Sequence, residues 1–193
     1  MQTHRRTLLQ FVVVGAILMA LAIVVPSSAG RAASMAVEST FALTGTDGRV
    51  VTDRDFRGHW MIVYFGYTYC PDICPTTLAE ITNALSALGP QAAKFQPVFI
   101  TVDPARDSQR VLAEYLKSFD SRFVGLRGDV GTTQDVARRY HAFFRLRYSG
   151  NGQYTVDHSS FIYVFDPDGK FAALLTGDVR ADALADRLRS LVR

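Results

Sequence analysis

The only two cysteines of this 193-residue chain stand four positions apart, in Cys70-Pro71-Asp72-Ile73-Cys74-Pro75, and no other feature constrains the fold as much. A disulfide across so short a ring removes little freedom from the unfolded chain, because the entropic gain grows with the length of loop closed. The chain is not stapled and must fold around an ordinary hydrophobic core. The same spacing lets two sulfurs close a disulfide or grip one metal ion, so the pair is there for its chemistry.

Arg5 and Arg6 precede an apolar run of 18 residues from Leu8 to Val25, broken only by Gln10, and small residues follow, among them Ser27, Ser28, Ala29 and Ala32. A positive start, an apolar stretch and a small-residue tail are the parts of a secretory signal. A run of about 18 residues is also nearly enough to span a bilayer. Residues 1–33 are therefore read as a signal peptide or membrane anchor, with the anchor preferred, and residues 34–193 as one domain on the periplasmic side of the inner membrane. Arg5-Arg6 before Thr7-Leu8-Leu9 also fits a twin-arginine export signal. Two arginines serve equally to keep the positive end of the segment inside.

The formal charge of +3 carries no nucleic-acid signal. Arg5, Arg6 and Arg31 lie in the leader or its tail, and removing these three from 21 basic residues leaves 18 against 18 acidic ones. A neutral domain lacks the basic footprint of a nucleic-acid binder. About 160 residues suffice for one domain with a real core.

Asp47-Gly48 between Phe41-Ala42-Leu43 and Val50-Val51 marks a hairpin. Met61 to Phe65 and Val98 to Val102 are continuous apolar runs of strand length, as in buried central strands. Leu78, Ile81, Leu85 and Leu88 share one face of a helix from Thr76 to Leu88, stopped by Gly89-Pro90. Pro75 fits the first helical position, which places Cys74 near the N-cap. Further helices are expected over 108–119, 132–140 and 182–192, a short strand over 123–126, and a loop over 146–157. A hairpin of 161–165 and 171–175 turns at Asp166-Pro167-Asp168-Gly169. The order predicts an α/β sandwich with a central mixed sheet flanked by helices, and reactive residues where a strand end opens a helix.

A thiolate at a helix start feels the positive end of the macrodipole, which lowers its pKa and makes it a better nucleophile and ligand. Two thiolates suit Cu(I) or Zn(II), and a third donor should come from elsewhere. Of four histidines, His4 lies in the leader, His59 reads as a polar strand-edge residue, and His141 stands at a helix end. His158, in Asp157-His158-Ser159-Ser160, is a candidate ligand, although a lone histidine is more often hydrogen-bonded scaffolding.

Phe65-Gly66-Tyr67-Thr68-Tyr69-Cys70-Pro71-Asp72-Ile73-Cys74-Pro75-Thr76-Thr77-Leu78 closely resembles the signature of the Sco/SenC copper proteins. The likeness extends to Thr101-Val102-Asp103-Pro104-Ala105-Arg106-Asp107, to Asp157-His158-Ser159-Ser160 and to Asp166-Pro167-Asp168-Gly169, and covers residues 41–190. It implies a thioredoxin-like fold, a membrane tether, and copper, as Cu(I) or Cu(II), held by Cys70, Cys74 and His158. It further implies a role in building the binuclear copper centre of cytochrome c oxidase subunit II, as copper donor, as thiol reductant of the target cysteines, or as both. Other copper chaperones or thiol reductants would then be further partners. Gly150 and Gly152, before His158, would let that histidine swing in as metal binds.

Other residues read more plainly. Asp72 either orients a ligand or favours the positive helix start. Asp103, Arg106 and Asp107 read as a turn and N-cap, with Asp107 or Ser108 opening the next helix. Tyr67, Tyr69, Phe143, Phe144 and Tyr148 read mostly as core aromatics, and the arginines over 138–147 as a solvated face.

Two other functions compete. An exported, metal-independent thiol–disulfide oxidoreductase would use Cys70 and Cys74 alone, but the usual redox loop has two residues between its cysteines and this one has three. A thiol peroxidase would need a resolving thiol placed differently.

Overall fold

The computed structural model describes residues 37–192. The expected leader, residues 1–33, lies outside them. Among the described residues no helix is long and apolar enough to cross a membrane.

Among the described residues nine strands and four α-helices follow in the order β1 (Ala42–Gly45), β2 (Val50–Thr52), β3 (Trp60–Gly66), α1 (Ile73–Leu88), β4 (Phe95–Thr101), α2 (Gln109–Leu116), β5 (Val124–Arg127), α3 (Val130–Arg139), β6 (Phe144–Tyr148), β7 (Tyr154–His158), β8 (Phe161–Phe165), β9 (Phe171–Thr176) and α4 (Ala181–Leu191). Seven strands form one sheet in the order β2-β1-β5-β4-β3-β8-β9, while β6 and β7 pair only with each other. Strands β3, β4 and β5 are parallel, and β8 and β9 add antiparallel neighbours on the far side of β3. The mixed sheet read from the sequence is thus present.

Strand β3 is central because Met61 to Gly66 are buried on both faces. Adjacent residues of a strand point to opposite faces. Tyr64 accordingly packs near Phe99 on one side, and Phe65 meets Tyr140 and Tyr163 edge-on on the other. Helices α1 and α4 lie against one another, α1 with Leu78, Ile81, Leu85 and Leu88 buried. Leu112 and Leu116 of α2 crowd Gly125 of β5, where a Cβ would lie 2.6 Å from Leu116.

Three expectations need correction. Helix α1 begins at Ile73 with Asp72 as N-cap, so Cys74 and Pro75 are the second and third helical residues. Every N–H of a first turn lacks an intrahelical partner, so proline is tolerated throughout that turn. Residues 146–157 are not a loop but most of the β6–β7 hairpin. Phe144-Arg145-Leu146-Arg147-Tyr148 alternates with period two, Tyr148 stacks across on Tyr154 at 5.5 Å, and Arg147 pairs with Asp157 at 2.5 Å. The aromatics are less buried than expected: Tyr67 is core, but Tyr69, Phe143 and Tyr148 are exposed.

Candidate metal centre

The site forms where β3 ends. Gly66 closes the strand, and residues 67–72 carry the chain into α1, so Cys70 stands just before the helix and Cys74 inside its first turn. The Cys74 N–H, free in the first turn, donates to Cys70 Sγ at 3.4 Å. Gly66 makes room, since a Cβ there would lie 2.8 Å from Cys74 Sγ and 2.9 Å from the Phe99 ring. Asp107 fixes the loop from outside: its buried carboxylate accepts the Thr68 N–H at 3.1 Å, the Thr68 hydroxyl at 2.6 Å and the Thr101 hydroxyl.

His158 ends β7 and reaches in from the other side. Its Nε2 lies 3.2 Å from Cys74 Sγ, and one donor atom from each of Cys70, Cys74 and His158 fits within a mutual 4.8 Å. The Nδ1 lies 3.0 Å from the Ser159 carbonyl oxygen. A carbonyl can only accept, so the proton sits on Nδ1 and Nε2 presents its lone pair to the sulfurs. The rings of Tyr64 and Tyr67 meet the imidazole nearly edge-on at 6.2 and 5.8 Å. The Tyr67 hydroxyl accepts the Val156 N–H at 3.3 Å, which ties β7 to the cysteine loop.

Both cysteines are free thiols and both are buried, Cys74 completely and Cys70 at 9% exposure. The Cys74 side chain hydrogen-bonds the Cys70 sulfur, which holds Cys70 below the ordinary thiol range against the opposing effect of burial. The same hydrogen bond, together with burial, pushes Cys74 upward. The reduced pair therefore tends to share one proton, with the anionic sulfur nearer the surface. Two sulfurs and an imidazole nitrogen are a soft donor set that fits Cu(I) and does not suit the hard, oxygen-seeking cations.

The other candidates fall elsewhere. His59 is exposed at the start of β3, and His141 is exposed just past α3 with φ of 52°. Asp72 is exposed, and its side chain makes no capping bond. Ser108, not Asp107, caps α2, accepting from the Val111 N–H at 3.3 Å. The sequence reading missed Gly66, Tyr64 and the loop-holding role of Asp107. The adjacency of Gly66 to the cysteine loop was a usable signal for the first of these.

The SCO1/SenC family model matches residues 29–193. The chain belongs to the SCO1/SenC family. An SCO2-like protein of Rickettsia prowazekii is 38% identical over 152 residues, 78% of this chain and 74% of that protein. The crystal structure of Arabidopsis thaliana ScoI with copper bound matches with a TM-score of 0.78 at 34% identity, over 82% of this chain and 99% of that one. The structure of Bradyrhizobium japonicum ScoI with copper bound matches with a TM-score of 0.74 at 37% identity, over 80% of this chain and 99% of that one. This SCO1/SenC chain has the thioredoxin-like sandwich of those structures, and its β6–β7 hairpin forms a separate two-stranded sheet.

Proposed function

We propose that this SCO1/SenC protein is a copper-carrying assembly factor for cytochrome c oxidase, and that Cys70, Cys74 and His158 hold the copper. The convergence of three soft donors from two separate elements within 4.8 Å carries the reading. Copper in the Arabidopsis and Bradyrhizobium relatives supports it.

Copper here is cargo. Cys74, fully buried, is the fixed donor, while Cys70 at the rim and the half-buried His158 are the donors an acceptor replaces first. Displacing one donor at a time keeps the ion coordinated throughout, so it is never released into water. The acceptor proposed is the binuclear copper site of oxidase subunit II. The place of action is the periplasmic side of the inner membrane, with residues 1–33 as leader or anchor.

A second reading is favoured by the asymmetry of the two thiols. The Cys70 thiolate attacks one sulfur of a partner disulfide and expels the other as thiolate; Cys74 then loses its proton and attacks the Cys70 sulfur, freeing the partner's second thiol. One disulfide forms in this chain as one is reduced in the partner. This is the exported thiol–disulfide oxidoreductase, and it needs no His158.

Copper binding by the reduced full chain, beside His158→Ala, separates the two. One tightly bound copper per chain, weakened by the substitution while disulfide exchange continues, is the expected result. No copper, or affinity indifferent to His158, overturns the copper reading in favour of the thiol reductant.

A further inference from the structure

The β6–β7 hairpin carries His158 but hydrogen-bonds to no strand of the seven-stranded sheet. A two-stranded hairpin is marginal by itself in water, so something else must fix it. The Arg106 guanidinium carbon lies 3.7 Å from the ring centroid of Tyr154, the first residue of β7, and 5.0 and 5.7 Å from those of Tyr69 and Tyr67 in the cysteine loop. Arg106 Nη1 donates to the Tyr154 carbonyl oxygen at 2.9 Å. Its Nε pairs with the buried Asp103, whose other oxygen accepts the Tyr154 hydroxyl at 2.9 Å. Tyr154 is thus held on its face, at its backbone and at its hydroxyl by two residues of the β4–α2 connection.

We propose that Arg106 is a positioning residue for His158. It pins the hairpin to the cysteine loop and so sets how firmly the third donor closes on the metal, an inference that rests on the copper reading above. Only a planar cation can stack on aromatic rings and donate sideways at the same time, so lysine cannot substitute. Arg106 itself touches no donor atom. It acts through Tyr154, and from there along the strand through Val156, held by Tyr67, to His158.

The test is Cu(I) affinity, by competition with a chromogenic chelator, in the reduced full chain carrying Arg106→Ala, Arg106→Lys, His158→Ala or the Arg106→Ala/His158→Ala pair. Arg106→Ala is expected to weaken binding about tenfold, as loss of a group that orients a ligand does, and Arg106→Lys to restore little of it. Once His158 is gone, Arg106→Ala should cost nothing more. Equal losses with and without His158, or no loss, overturn the proposal. Amide exchange in the metal-free protein gives a readout that needs no copper. Faster exchange at Val156 and His158 with Leu85 of α1 unchanged supports the positioning role; unchanged exchange, or acceleration everywhere, overturns it. If the unsubstituted chain takes up no copper, the copper reading falls and the exchange pattern alone decides on Arg106.

Discussion

His158 Nε2 lies 3.2 Å from Cys74 Sγ across 84 positions of sequence. The ring is held for this by its other nitrogen, with Nδ1 3.0 Å from the Ser159 carbonyl oxygen. A ligating histidine whose second N–H is engaged has its tautomer and orientation fixed beforehand. Long-range proton–nitrogen spectra of the neutral imidazole in the reduced, metal-free protein should therefore show His158 protonated at Nδ1. Addition of Ag(I), a silent stand-in for Cu(I), should move the Nε2 signal and leave the Nδ1 proton in place. A proton on Nε2, or silver shifting Nδ1 alone, would contradict this.

Gly66 is required by space, not by backbone conformation. A methyl group there would stand 2.8 Å from Cys74 Sγ and 2.9 Å from the Phe99 ring, and both neighbours are fully buried. Overpacking of this kind costs about 1–3 kcal/mol. Gly66→Ala should lower stability by that amount in urea and also weaken copper binding, because the sulfur has to move. Gly150→Ala, where a Cβ meets nothing within 4 Å, is the control and should change neither by more than about 0.5 kcal/mol.

Asp107 holds the cysteine loop through both the amide and the hydroxyl of Thr68, 39 residues away. Removing the carboxylate strands those donors and the buried Thr101 hydroxyl. Charged-acceptor hydrogen bonds contribute about 1.5–3 kcal/mol each, so Asp107→Ala should destabilise the domain by at least about 2 kcal/mol. Urea unfolding of the reduced protein measures this, and a loss below about 0.5 kcal/mol would show that the loop does not depend on this anchor.

The sequence reading succeeds where chemistry is local. The apolar runs of β3 and β4, the one-sided leucines of α1 and the cysteine spacing each lie within one segment, so period and composition expose them. His158 needs a contact over 84 residues, so the sequence leaves it a candidate among the histidines and the family resemblance makes it a ligand. Asp107 reads as a cap because capping is local, whereas its observed partner Thr68 lies on another element. In the β6–β7 hairpin, the alternation of Phe144 to Tyr148 was masked by the glycines at the tip and by residues that face solvent on both sides. Tyr69, Phe143 and Tyr148 show the same limit: an aromatic side chain announces contact area, and only the fold says whether the contact is internal.

Tyr140 and Tyr163 stack edge-to-face at 5.4 Å beneath the sheet. Burial raises both phenols, Tyr163 to about 12; Tyr140 is raised also by the nearby Asp53. In the unfolded chain a tyrosine titrates near about 10. Above that pH the unfolded state therefore holds fewer protons than the folded one, and stability falls as pH rises, by about 1.4 kcal/mol per pH unit for each such tyrosine. The stability present below about pH 10 should thus drain away between about 10 and 12. Phenolate absorbance near 295 nm should rise together with loss of helical circular dichroism. Tyr163→Phe removes one of these titrations, and the Tyr163 hydroxyl makes no hydrogen bond among the described residues, so the variant should unfold at a higher pH. Phenolate forming for all tyrosines near pH 10 with the helical signal intact would show that these two hydroxyls reach water in the folded protein.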